Sequence, residues 1–174
     1  MSIFKADYIE FHAPSEHTVE GKPYDLELQF VHRYVDTETL GGAVSIFFDR
    51  SAGNYDNDFL TPLWVEGDSV SVNIAGLFSS TRFDKYWNYS GSLTSPPCTQ
   101  GVKWTIIKDV QPISDDQLSK FSSMWADNAD FASGNGNNRT TQNINDRELF
   151  YAGAMSNITI AATSFLSLAV YLTF

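Results

Sequence analysis

The chain has 174 residues, 43% hydrophobic and 14% aromatic, which suits one domain with a buried core and excludes a disordered chain. Asp and Glu outnumber Lys and Arg by 21 to 11, for a net charge of −10. No basic stripe exists for nucleic acid to bind, and the acidity is read as a solvated surface.

In chain order, strand-like runs dominate. "MSIFKADYIEF" contains no long apolar run and carries Asp7 and Glu10, so it is not a signal peptide. Tyr8–His12 and Tyr24–Val35 are rich in β-branched and aromatic residues and read as strands, with Glu20-Gly21-Lys22-Pro23 as the turn between them. Gly42–Asp49 is a third strand, closed by Ala52-Gly53-Asn54. Asp58–Val65 is a weak helical pattern, and Ser69–Ile74 reads as a strand. After Ser95-Pro96-Pro97, Lys103–Val110 is the last clear strand. "SDDQLSKFSSMW" is the clearest helix, with Ser114 as N-cap and Gln117 at the capping-box position. "DNADFASGNGNNRTTQN" reads as irregular coil. The class is mainly β with few short helices.

The C-terminal end differs in character. From Leu149 onward no residue is charged, and Ile158–Phe174 runs apolar to the last residue, at the lower edge of the length that spans a bilayer. Gly153, Ala154 and Ser156 precede it, as in a lipid-anchor attachment signal. A membrane helix and a buried terminal strand are the competing readings. The expected division is a domain over 1–151 and a hydrophobic tail over 152–174. Sequons at Asn88, Asn138 and Asn157 are compatible with a secretory route. Cys98 is the lone cysteine, so no internal disulfide forms; it is either a small buried hydrophobe or a thiol whose partner is missing.

Strand alternation puts Tyr8, Glu10 and His12 on one face and Ile9 and Phe11 on the other. Likewise Glu27, Gln29 and Val31 oppose Leu28, Phe30 and His32. If the two strands pair with these faces together, a carboxylate, an imidazole and an amide converge. A catalytic Zn²⁺ takes three protein ligands and an open position. A single strand histidine is also compatible with a hydrogen-bonded core residue.

"FHAPSEHTVEGKPYDLELQFVH", "WNYSGSLTSPPCTQGVKW" and "NNRTTQNINDREL" together resemble the α-carbonic anhydrases. The resemblance runs from about Phe4 to Leu149. It implies a large, twisted, mostly antiparallel sheet, and Zn²⁺ held by three histidines. The metal brings its water to a pKa of about 7, and the hydroxide converts CO₂ to bicarbonate. It implies Thr94 as the residue that aims the hydroxide and Glu16 as the carboxylate receiving the Thr94 hydroxyl. It implies Glu27 as the acid behind the third ligand. Val31, Leu93 and Trp104 become the apolar wall receiving CO₂, with Ser95 beside them in the loop. His17 and His32 fall on structural positions.

The ligand positions depart from the family. Where it reads His-x-His and then Glu-x-His, this chain reads Glu10-Phe11-His12 and Glu27-Leu28-Gln29. Only His12 keeps the ligand type. Glutamine's neutral oxygen is a poor match to zinc, so metal affinity is expected to fall by orders of magnitude. The resemblance also implies that strands, a proton-shuttle histidine, a Cys98 partner and a signal peptide precede the first ligand strand. The expectation is an N-terminally truncated member, marginally stable alone. It is expected at the cell surface or in the secretory pathway, membrane-anchored by its tail. Two functions stand: a weakly active or inactive CO₂-hydrating lyase, and a non-catalytic binding module at a membrane surface.

Overall fold

The computed structural model describes residues 3–64, 70–126, 136–153 and 169–170. Its first strand, β1 (Phe4–His12), is followed by a small hairpin of β2 (Thr18–Val19) and β3 (Lys22–Pro23). Glu20 and Gly21 both have positive φ, 53° and 77°, as a two-residue hairpin turn demands. The chain returns as β4 (Leu26–Tyr34) and turns again into β5 (Leu40–Phe48).

Two short 3₁₀ turns, Arg50–Ala52 and Thr61–Trp64, lead to α1 (Ile74–Ser80). Then come β6 (Tyr86–Ser92), β7 (Gln100–Ile107), α2 (Asp115–Trp125), β8 (Phe150–Ala152) and β9 (Ala169–Val170). Seven strands form one sheet in the order β8-β6-β7-β5-β4-β1-β9. Its pairs are antiparallel except β5–β7 and β1–β9, which are parallel. The mainly β class read from the sequence holds, in a mixed sheet with two α-helices among the described residues.

Alternation along the central strands divides the core in two. Ile9, Phe11, Leu28, Phe30, Ile46 and Phe48 share one face with Leu77 and Phe121 from the helices. On the other face Val31, Ala43 and Phe47 pack with Leu93, Val102, Trp104 and Ile106. This second face carries the candidate site.

Two sequence expectations need correction. Ser69–Ile74 is not a strand: among its described residues, Val70–Asn73 have no regular structure and Ile74 opens α1. Val70, Val72 and Ile74 alternate as a strand would, yet all three pack against the first core. The Asn73 side chain caps the helix by accepting from Gly76 N at 2.8 Å, which fixes helical geometry at once. The helical pattern at Asp58–Val65 yields only the Thr61–Trp64 turn, its last residue lying outside the described residues. β6 was missed as a strand within the motif Trp87–Trp104, although Tyr86, Trp87 and Tyr89 are strong β formers.

At α2 the cap forms as read, Gln117 N donating to Ser114 Oγ at 3.1 Å. The Gln117 side chain does not close the capping box. It binds Asn57 and Thr61 instead, tying α2 to the 3₁₀ turn. Most of the apolar tail, with Ala154, Ser156 and the Asn157 sequon, lies outside the described residues. Ala169 and Val170 pair with Tyr8 and Ile9. No described helix is long and apolar enough to cross a membrane.

Candidate functional site

The site begins with strand register. Glu10 faces Gln29 and His12 faces Glu27 across β1 and β4, so the four side chains share the second face. All four are buried, Glu27 and Gln29 completely.

Glu27 is the hub. Its Oε1 accepts from His17 Nδ1 at 2.7 Å, Ser45 Oγ at 2.7 Å and Gln29 Nε2 at 3.1 Å. Its Oε2 accepts from the backbone N–H of Glu16 and His17, each at 2.9 Å. Burial alone would raise this carboxyl. The pull of the His17 imidazole and its hydrogen bonds, with Ser45, instead bring Glu27 down to about 2. His17 continues the chain through Nε2 to the Tyr89 hydroxyl at 2.7 Å and packs edge-on against Trp104. Burial raises the Tyr89 phenol well above its usual range.

Glu16 is held as firmly. Its Oε1 accepts from Arg139 N at 2.8 Å and its Oε2 from Gln29 Nε2 at 3.0 Å. The segment supplying Arg139 is clasped to the end of β1. Asn137 Oδ1 accepts from Ala13 N, and its Nδ2 donates to Phe11 O. Gly136 sits so close that a Cβ there would lie 2.2 Å from Ala13 O.

His12 lies between two carboxylates. Its Nε2 is 3.7 Å from Glu10 Oε1 and its Nδ1 is 3.4 Å from Glu16 Oε1. Burial pulls this imidazole down. The adjacent Glu10 and the charges of Glu16 and Glu27 outweigh burial and raise it to about 9. His12 Nε2, Gln29 Oε1 and Thr94 Oγ1 are buried atoms without a hydrogen-bond partner.

Among the residues singled out from sequence, the structure gathers Glu10, His12, Glu16, Glu27 and Gln29 into one network. Val31, Leu93 and Trp104 form an apolar wall beside it. Ser95 stands exposed, its carbonyl accepting from Cys98 N in the turn. The expected Thr94-to-Glu16 hydrogen bond is not made: Thr94 Oγ1 is unpartnered, while Arg139 N and Gln29 Nε2 occupy the carboxylate. His32 lies on the opposite face, where burial lowers its pKa. Sequence reading missed Ser45, Tyr89 and Asn137. Ser45 was detectable, because a polar residue alternating with Ala43 and Phe47 faces the same side.

The donor set does not fit the family's three-imidazole zinc centre. Both hydrogens of the Gln29 amide point at carboxylates, which accept only, so the neutral oxygen is the atom left over. Glu10 adds a negative charge, and His12 sits in a field that favours its protonated form. Among the described residues no group of three or more His, Cys, Asp or Glu side chains is placed to hold a metal ion.

A mixed sheet with a His–Glu network on one face and few helices defines the class as a carbonic anhydrase-type β domain. A family profile for eukaryotic-type carbonic anhydrase matches residues 57–153, and the chain belongs to that family, the α-carbonic anhydrases. It is 35% identical over 151 residues to a carbonic anhydrase of Klebsiella pneumoniae, covering 83% of this chain and 56% of that protein. It is 40% identical over 129 residues to alpha carbonic anhydrase 4 of Arabidopsis thaliana, covering 68% and 46%. Among solved structures, the α-carbonic anhydrase of Thermovibrio ammonificans in complex with the inhibitor sulfanilamide aligns with a TM-score of 0.63 and 34% identity. That match covers 80% of this chain and 59% of the other. The chain spans about half the length of the curated relatives it matches.

Proposed function

We propose that this chain is an α-carbonic anhydrase domain that hydrates CO₂ weakly or not at all. The carrying observation is the Gln29 amide. It stands on β4 opposite Glu10 and is committed through Nε2 to Glu16 and Glu27. The network that would support a metal ligand supports a glutamine instead. Protein donors satisfy the Glu16 and Glu27 carboxylates, while the atom the amide leaves free is its neutral oxygen. Elemental analysis of the purified protein and stopped-flow CO₂ hydration test this. Less than one zinc per ten chains, with no sulfonamide-sensitive turnover, is the expected result. Stoichiometric zinc with such turnover overturns the proposal.

A second reading is a non-catalytic binding module at a membrane surface. The apolar, charge-free run Ile158–Phe174 favours it. Sedimentation with phosphatidylcholine vesicles, comparing the full chain with one ending at Gly153, tests it. Equal sedimentation of the two would remove the membrane from the account.

A further inference from the structure

Beside the network, a cavity of about 570 Å³ is lined by Glu16–Glu20, by residues of β6 and by the segment 139–149. That size falls in the range of about 300–1,000 Å³ that holds small organic ligands. Trp87, Ile106 and Leu149 give it apolar walls, and Arg139 and Arg147 both line it.

The two arginines are the unusual feature. In this acidic chain the other arginines are ion-paired: Arg33 with Asp7, Arg50 with Asp25 and Asp115, and Arg82 with Asp109. Arg139 and Arg147 have no carboxylate partner among the described residues. Acidic side chains outnumber basic ones by 21 to 11, so two unpaired guanidinium groups lining one cavity are not explained by a shortage of partners. Arg147 is also held in place. Its Nε donates to Ile144 O at 2.8 Å, its Nη2 donates to Asn143 O, and its guanidinium lies 5.4 Å from the centre of the Tyr89 ring. Arg139 reaches Ser92 Oγ through one Nη1 contact at 3.5 Å. Both retain N–H groups for a ligand.

Two acidic residues share the lining. Glu16 directs its oxygens to Arg139 N and Gln29 Nε2, within the network. Glu20 is exposed in the β2–β3 turn. Arg139 and Arg147 are therefore the groups for a negative partner, and Trp87, Ile106 and Leu149 those for a flat apolar one; the Trp87 ring also meets Tyr151 at 5.6 Å, with Lys108 Nζ 5.6 Å from its centre. A guanidinium fork binds a carboxylate through two parallel hydrogen bonds, and an indole beside aliphatic walls receives an aromatic ring.

We infer that this cavity binds a small aromatic carboxylate, with Arg139 and Arg147 on the carboxylate and Trp87, Ile106 and Leu149 around the ring. The lining includes Glu16 and Thr94 of the candidate site but none of the candidate metal donors Glu10, His12 and Gln29, so the inference does not depend on whether the chain binds zinc.

The test is titration of the full chain in EDTA with benzoate, and in parallel with benzyl alcohol, its neutral counterpart. Trp fluorescence and calorimetry give the readouts. Benzoate is expected to saturate one site and to bind at least about tenfold more tightly than benzyl alcohol. Arg147→Gln and Arg139→Gln are each expected to weaken benzoate by about tenfold and to leave benzyl alcohol unchanged. Trp87→Phe should remove the fluorescence response while calorimetry still detects binding. Equal affinities for benzoate and benzyl alcohol in the unmodified protein would overturn the inference, and that comparison needs no variant to fold. Unchanged benzoate binding in both arginine variants would overturn it as well. EDTA keeps zinc out of the measurement, so the result is independent of the metal analysis above.

Discussion

Glu27 and Gln29, two residues apart on β4, are joined by a 3.1 Å hydrogen bond from the glutamine amide to the carboxylate, with both side chains wholly buried. The bond fixes which way the amide faces. Its nitrogen is turned toward two carboxylates, and its oxygen is left without a partner. This orientation, rather than the loss of imidazole alone, separates the site from a zinc centre.

The first prediction restores the ligand type. Glu10→His with Gln29→His puts three imidazoles on one face of β1 and β4. Zinc affinity should rise by on the order of a hundredfold or more. Competition with a chromophoric chelator measures it, and Gln29→His alone should recover less. If the double variant gains no affinity, the altered residues are not what keeps zinc out.

Glu27 itself should be costly to remove. Glu27→Gln leaves His17, Ser45 and two backbone N–H groups facing a neutral amide. Breaking such a buried charged network costs about 3–5 kcal/mol. Urea unfolding followed by Trp fluorescence reads the loss. A change below 1 kcal/mol would show that the hub does not hold the sheet.

Stability should depend on pH in two windows. Glu27 has a folded value of about 2 against 4.5 unfolded, so its contribution is complete above pH 4.5 and is lost as pH falls toward 2. The amount is roughly 3 kcal/mol. His12 shifts the other way, from 6.5 to about 9, so its contribution is complete below pH 6.5 and is lost as pH rises through 9. Unfolding free energy in EDTA should therefore be highest between about pH 4.5 and 6.5. His12→Gln should flatten the alkaline side and leave the acid side in place.

Gly136→Ala tests the clasp on β1. The added Cβ would meet Ala13 O at 2.2 Å, and φ is +145°. Destabilisation of roughly 1–3 kcal/mol is expected, and amide exchange at Arg139, whose N–H is held by Glu16, should speed up. Unchanged exchange there would mean that Gly136 does not position the segment.

The sequence revealed more of the site than of the elements around it. Glu10, His12, Glu27 and Gln29 could be placed on one face because strand alternation has a period of two and both strands are long. Thr94 was harder. Its hydroxyl position depends on how the turn at Pro96 and Pro97 and the segment near Arg139 settle, and local pattern does not carry that. Backbone N–H from Arg139 took the place next to Glu16 that the motif assigned to a hydroxyl. α1 was lost for a similar reason: one capping Asn73 outweighed three alternating β-branched residues. Asn137 stood inside the motif "NNRTTQNINDREL", but its role was not legible there, because it depends on a contact more than a hundred residues away in the chain.

That residue has a consequence for self-association. Asn137 presents its side-chain amide to Phe11 O and Ala13 N as a neighbouring peptide unit would, and its own N–H reaches Ala13 O at 3.3 Å. The end of β1 beside the His–Glu network is thus sealed by a counterfeit strand one residue wide. With β9 paired to Tyr8 and Ile9, edge-to-edge polymerisation along β1 is left only the end near Phe4.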